Sequence, residues 1–344
     1  MRGINIAPLW GRKNKGGSMK SMIARTAAAV LIGVFCAHSA FAQPYPSRSL
    51  QMILPSPAGG VVDALLRSVS QQVGEQMGQP FLVQNRPGGH STIGMALCAK
   101  AAPDGYTLCS TSPDTLSYNP HLFSSLPYDP DRDFAPIIQL VKIHGVIVTT
   151  VEMPFGSIRE MIDFDRAKPG ALNWGTLGPG SMAQVFLSWI NSKGGAGITP
   201  VPYKGVNQVI PAMLGGQVQL TYVGLGFVKA LIDAGKLKPL AVTGSRRSPV
   251  LPDVPTLGDQ EIDPGLLSWL GVFAPAGTPK PIIDRLNAEF ARALRTPGVQ
   301  AVLRLQTLEP VSDTPAEFAE FLKLDRANAG RIFKTLGIRP SDAP

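Results

Sequence analysis

The sequence predicts an α/β chain of two domains built on open, mostly parallel sheets. Three observations carry this. Short apolar runs alternate with helix-period segments along nearly the whole chain, and repeated βα units place helices on both faces of such sheets. After an N-terminal leader, about 300 residues remain, enough for two domains of ordinary size. Charged residues are few (16%), while Gly (36) and Pro (32) are many, which suits numerous short connections in a folded chain. No fixed-period repeat is present.

Residues 1–42 read as an export leader. Met19–Arg25 is a positive n-region, Ala27–Cys36 a short apolar stretch, and Ala40-Phe41-Ala42 a small-x-small cleavage site, which makes Gln43 the mature N-terminus. The apolar stretch is too short to span a bilayer comfortably. Cys36 follows Phe35, a poor fit to a lipoprotein signal, so the expected product is a soluble protein of the periplasm. The leader holds six Lys/Arg and no Asp/Glu, so the formal +8 falls to about +2 in the mature chain (8 − 6). The basic balance therefore belongs to the leader and gives no case for a nucleic-acid partner.

The first strand is Leu50–Leu54. It stops at Pro55-Ser56-Pro57-Ala58-Gly59-Gly60, and a helix over Val61–Gln76 follows, with apolar Val62, Leu65, Leu66, Val69 and Val73 at alternating spacings of three and four. Glycines between a strand end and a helix start leave no Cβ in the way of a ligand. The first N–H groups of the helix lack internal acceptors. Together these make a cradle for a carboxylate or phosphate; an ordinary tight βα turn uses the same residues.

Next come a strand at Phe81–Gln84, a helix at Thr92–Ala101 stopped by Pro103-Asp104-Gly105, and a strand at Tyr106–Ser110. Ala135–Leu140 and Gly145–Thr150 read as strands joined by an irregular link. Helices Ile158–Ala167, Met182–Ser192, Val206–Leu214 and Phe227–Ala234 alternate with strands at Leu172–Trp174, Thr199–Pro202, Val218–Tyr222 and Leu240–Thr243. The last part holds a strand at Gly271–Ala274 and helices at Pro279–Arg295 (Thr278 as N-cap), Val299–Leu305 and Pro315–Leu336. The last of these opens on Thr314-Pro315-Ala316-Glu317, a capping-box pattern.

In open α/β sheets ligands sit beyond the carboxyl ends of strands. Pro57–Asp63, Ser112–Thr115, Trp174–Ser181, Tyr203–Gly205 and Tyr222–Gly226 all follow apolar strand-like runs. No His, Cys or acid set has metal-ligand spacing, and the four His are isolated. Cys98 on a helix and Cys109 on the next strand read as two buried thiols, although export would also allow a disulfide. A nucleophile elbow, G-x-S-x-G, is absent: the nearest stretch, Gly178-Pro179-Gly180-Ser181, lacks the pattern, which argues against an exported hydrolase.

Ten short motifs in order resemble the receptors of tripartite tricarboxylate transporters, the TctC or Bug family. They are Tyr45-Pro46-Ser47-Arg48, Pro57-Ala58-Gly59-Gly60 with Asp63, Asn85–Gly89, Ala101–Leu108, Leu126–Pro130, Val201–Gly205, Gly215–Val218, Ala241–Thr243, Leu251–Thr256 and Ala274–Lys280. The resemblance implies a type II, Venus-flytrap periplasmic-binding-protein fold with two crossings, near Val146–Val151 and Ile262–Leu267. Domain 1 would comprise 43–147 and 266–344, and domain 2 would comprise 148–265. It implies a monomeric, cofactor-free receptor that performs no chemistry and delivers a small organic acid to two membrane permease subunits. A sensor signalling to a membrane kinase would use the same fold and cleft.

By the same resemblance, Pro57, Ala58, Gly59 and Gly60 hold one carboxylate. Asp63 meets an amine, hydroxyl or water, or serves only as a first-turn acid. Ser112, Asp114 and Thr115 line the cleft, or form a loop in which Asp114 caps a turn. Thr176, Gly178, Gly180 and Ser181 form a second cradle facing the first, or a plain cap. Tyr203 and Lys204 close over the ligand, with Lys204 pairing with a carboxylate or remaining solvated; Trp269 lies at the cleft edge or in the core. Three departures from the family pattern make the pocket less polar: Val61-Val62 after the Gly pair, Val223-Gly224-Leu225-Gly226 after a strand, and Gly88-Gly89-His90-Ser91. They favour a monocarboxylate with an apolar or aromatic body over citrate.

Overall fold

The computed structural model describes residues 45–178, 180–244 and 246–342; the leader and its cleavage site lie outside them, as does Pro179. In chain order the elements begin β1 (Leu50–Leu54), α1 (Val61–Met77), β2 (Phe81–Asn85), α2 (Thr92–Ala99) and β3 (Thr107–Thr111). A π-helical turn (Asp114–Tyr118) runs into the short α3 (Asn119–Leu122), then β4 (Phe134–Ile143) and β5 (Gly145–Thr150). There follow α4 (Ile158–Ala167), β6 (Asn173–Thr176), α5 (Met182–Gly194), β7 (Thr199–Pro202), α6 (Val206–Leu214), β8 (Leu220–Gly224), α7 (Leu225–Asp233) and β9 (Leu237–Val242). The chain ends with β10 (Ser268–Pro275), α8 (Lys280–Ala293), α9 (Pro297–Leu305), β11 (Leu308–Pro310) and α10 (Pro315–Thr335).

These strands form two sheets, ordered β11-β4-β10-β3-β1-β2 and β7-β6-β8-β5-β9. Each contains the same βαβαβ unit. In the first, β1 pairs in parallel with β2 and β3; in the second, β6 pairs in parallel with β7 and β8. The remaining pairings are antiparallel, because β4 and β10 extend one sheet and β5 and β9 the other. Both sheets are therefore mixed rather than mostly parallel. The parallel part is what positions the site. α1 and α5 each leave the central strand of a unit at its carboxyl end, where strand order reverses and side chains have room to converge.

The chain leaves the first sheet at Ile143 and enters the second at Gly145, so His144 alone replaces the expected irregular link, and this change of sheet precedes the expected Val146–Val151. It returns between β9 and β10. His144 Nε2 lies 2.8 Å from Glu309 Oε2, and Arg246 contacts the other oxygen of Glu309 at 2.6 Å.

Helix α1 forms because Leu65, Leu66, Val69, Val73 and Met77 make one buried stripe, and it stops at left-handed Gly78 (φ 70°). Burial of each such side chain stabilises by about 1.5–3 kcal/mol. Helix α10 opens on a complete capping box between Thr314 and Glu317. Its later residues Ala329, Ile332 and Phe333 join the apolar cluster of Trp174, Phe186 and Ile190 under the second sheet. At α8 the N-cap is Pro279, since the Thr278 hydroxyl donates to the Pro275 carbonyl instead. Cys98 and Cys109 form a disulfide, not two free thiols. Packing α2 over β3 brings their Cα atoms to 6.0 Å, within bridging range.

Candidate functional site

A cavity of about 410 Å³ lies between the two βαβαβ units. Val62, the second residue of α1, borders it from one side. Gly180, Ser181, Met182 and Ala183, at the start of α5, border it from the other. The N–H groups of Met182 and Ala183 have no helical acceptor, as first-turn geometry dictates. Ser181 caps the helix: its Oγ accepts from Gln184 N (3.3 Å) and Leu177 N (3.3 Å) and donates to Gly178 O (2.7 Å). Two helix starts thus face one space.

The turn before α1 is organised by Asp63. Its Oδ2 accepts from the Gly59 N–H and Arg67 Nε, both at 3.0 Å, and its Oδ1 from Asn85 Nδ2 at 3.0 Å. Burial pushes this carboxyl up, but Arg67, Gly59 and Asn85 together outweigh it and hold the pKa below the ordinary value. Asp63 spends its oxygens on Gly59, Arg67 and Asn85, and the Gly59 N–H is committed to it. Pro57, Ala58, Gly59 and Gly60 form an exposed loop beside the cavity rather than part of its wall.

After β3, Ser112 and then Asp114, the first residue of the π-helical turn, reach the cavity. The Ser112 hydroxyl donates to Asp114 Oδ2 at 3.0 Å. Burial raises the Asp114 pKa; the Ser112 bond and the nearby His90 oppose that rise, and Asp325 adds to it. Thr115 turns inward instead, its hydroxyl 2.5 Å from Thr111 Oγ1. Thr176 and Gly178 border a neighbouring apolar trough. Tyr203 packs partly buried against the cluster of Val209 and Val218, and Lys204 is exposed; neither borders the cavity.

Tyr222 and Trp269, both singled out in the sequence, and the unforeseen His90 and Ser91 complete the wall. Tyr222, in the middle of β8, stacks on Phe186 (centroids 4.5 Å apart), and its hydroxyl lies 3.2 Å from Ser268 Oγ. Its pKa is raised by burial, against the hydrogen bonds of Ser268 and Thr243. Trp269 is fully buried yet borders the cavity, with Nε1 donating to Asp325 Oδ2 at 3.0 Å. His90 and Ser91 enter the wall on left-handed backbone (φ 48° and 70°), their loop tied by Asn119 Nδ2 to the His90 carbonyl at 3.1 Å. Tyr222 closes the apolar run Val218–Tyr222, which is a usable sequence signal; a left-handed His–Ser pair has none. Val223, Phe227, Ile143 and Met182 make much of the remaining wall apolar. Among the described residues no three His, Cys, Asp or Glu side chains meet as a metal site, and no helix is long and apolar enough to cross a membrane.

The profile of the tripartite tricarboxylate transporter family receptor, TctC, matches residues 65–338. Among solved structures, the periplasmic binding protein BugD is 28% identical, with a TM-score of 0.75 over 86% of this chain and 100% of its own. R. palustris Rpa4515, solved with adipate, is 31% identical, with a TM-score of 0.77 over 86% of this chain and 100% of its own. MatC from Rhodopseudomonas palustris, with bound malate, is 28% identical, with a TM-score of 0.72 over 84% of this chain and 99% of its own.

Proposed function

Because the chain belongs to the tripartite tricarboxylate transporter receptor family, whose members are solute-binding proteins and not enzymes, we propose that it captures a small organic acid in the cleft between its sheets. It releases that acid unchanged to a two-subunit membrane permease. It acts as a monomer in the periplasm, exported by the leader that ends at Ala42.

The observation that supports this most is the meeting of two helix starts on one cavity, Val62 from one unit and Gly180–Ala183 from the other. A carboxylate at a helix N-terminus gains about 0.3–1 kcal/mol when exposed and about 2 when partly buried. Each charge-assisted hydrogen bond adds about 1.5–3 kcal/mol. Two or three such contacts reach about −8 kcal/mol, a micromolar dissociation constant. The α5 start is the better anchor, since Met182 and Ala183 keep their N–H groups available while Gly59 has given its own to Asp63.

The rest of the wall selects the body of the ligand. Trp269, Phe227, Val223 and Ile143 favour an apolar or aromatic body, and Asp114 disfavours a crowd of carboxylates such as citrate. Mass spectrometry of small molecules that co-purify with the native protein, followed by calorimetry, tests the reading. An aromatic or aliphatic monocarboxylate is expected to bind more tightly than citrate; the reverse order, or turnover of the bound acid, overturns it.

A further inference from the structure

The cleft has a neighbour. A trough of about 730 Å³ lies on the far side of three residues that border both spaces: His90, Leu122 and Gly180. Leu122 ends α3 and belongs to the chain of the first sheet; Gly180 precedes α5 in the second unit. A Cβ built on Gly180 would stand 2.7 Å from Leu122 Cδ1, so the leucine already lies against the glycine with no room for another group. The leucine is fixed from behind, because its carbonyl accepts the Ser341 N–H at 2.8 Å and the Ser341 hydroxyl at 3.3 Å. His90, the third shared residue, is braced by Phe123 with ring centroids 5.3 Å apart. Beyond this partition the wall is apolar, with Phe123, Pro200, Pro202 and Ile338. Arg339 stands exposed at the rim and has no ion pair among the described residues.

Resting on the reading of the cleft as a carboxylate site, we infer that Leu122 sets the length of acid the protein accepts, by walling the cleft off from the trough. A carboxylate anchored at α5 sends its chain toward this partition. A chain that stops short of Leu122 is covered; a longer one must push the leucine off Gly180. Without the leucine side chain, the trough becomes the second half of the binding site. It then offers apolar surface to the extra methylenes and a cation to a distal carboxylate.

Calorimetry on the mature chain with butyrate, hexanoate, octanoate and decanoate tests this. The native protein is expected to bind one of the shorter acids best and decanoate poorly. Leu122→Ala is expected to move the optimum to a longer acid, gaining about fourfold relative to butyrate per methylene that enters the trough. In that variant sebacate is expected to exceed decanoate, and the advantage is expected to vanish in Leu122→Ala/Arg339→Ala. Leu122→Val, read the same way, serves if thermal melting shows that the alanine variant has lost its fold. A folded variant that still binds these acids with an unmoved optimum overturns the inference. A native protein that binds none of these acids, nor any aromatic acid, sinks the carboxylate reading itself and the inference with it.

Discussion

Gly145→Ala is the sharpest test of how the site is built. Gly145 opens β5 directly after His144, and the Tyr222 ring occupies the space a side chain would need. A Cβ there would stand 2.1 Å from Tyr222 Oη and 2.3 Å from Cε2 and Cζ. The backbone has little freedom to yield, since the Gly145 N–H donates to Thr243 Oγ1 at 2.9 Å and its carbonyl accepts the Thr243 N–H at 2.9 Å. The ring is pinned too, by Phe186 on its face and Ser268 at its hydroxyl. Overpacking of this kind costs about 1–3 kcal/mol. Losing the Tyr222–Ser268 bond adds about 0.5–1.5 kcal/mol. We expect urea denaturation to show a loss of about 2–4 kcal/mol for Gly145→Ala, and calorimetry to show weaker ligand binding as the ring is driven toward the cleft. Tyr222→Ala alone should cost about 3–5 kcal/mol, the range for truncating a buried ring. In the double variant the new methyl enters space the ring has left, so the penalties should fall short of their sum by more than about 1 kcal/mol. Strict additivity, or a Gly145→Ala protein of native stability and affinity, would refute the geometry.

Three further outcomes follow from the site and its supports. Asp63→Asn should lose about 1–3 kcal/mol near neutral pH. Because the folded Asp63 pKa lies below its unfolded value, that contribution is full above the ordinary carboxylate range and fades as pH falls through the folded pKa. The gap between native and variant should therefore narrow from about pH 6 to about pH 3, and a constant gap in denaturation midpoints would contradict it. Asp114 sits in the cleft with a raised pKa. Carboxylate affinity should accordingly increase as pH falls and the repelling charge is lost, as long as the ligand itself stays ionised, and calorimetry on Asp114→Asn should lack that increase. Replacing both Cys98 and Cys109 by Ser frees the short loop they close, and should lower unfolding free energy by about 3 kcal/mol; an unchanged denaturant midpoint would count against a bridge.

Local signals were the legible ones. Thr314 and Glu317 announce the start of α10 because both halves of the capping box lie within one turn. The Pro57–Gly60 stretch marks the break between β1 and α1 for the same reason, and Ser181 marks the start of α5. What stayed hidden depends on distant partners. β10 inserts between β3 and β4 from far along the chain, which no window of sequence reports, and this insertion makes the first sheet mixed. The pairing of Cys98 with Cys109 required knowing how α2 lies over β3. Asp63 was placed in the right turn, but its oxygens answer to Arg67 and Asn85, and Asn85 lies a whole strand away. Tyr222 can line the cleft only because residue 145 is glycine. Leu122 meets Gly180 across the gap between the two units, a contact with no trace in either local sequence.

Where the chain changes sheets it is stitched to itself. His144 is the only residue between β4 and β5, Thr243 grips the next residue at two atoms, and Ser268, where the chain re-enters the first sheet, touches Tyr222. The outgoing and returning chain are thus tied together at one place, so a substitution at Gly145, Thr243, Tyr222 or Ser268 touches both passages at once.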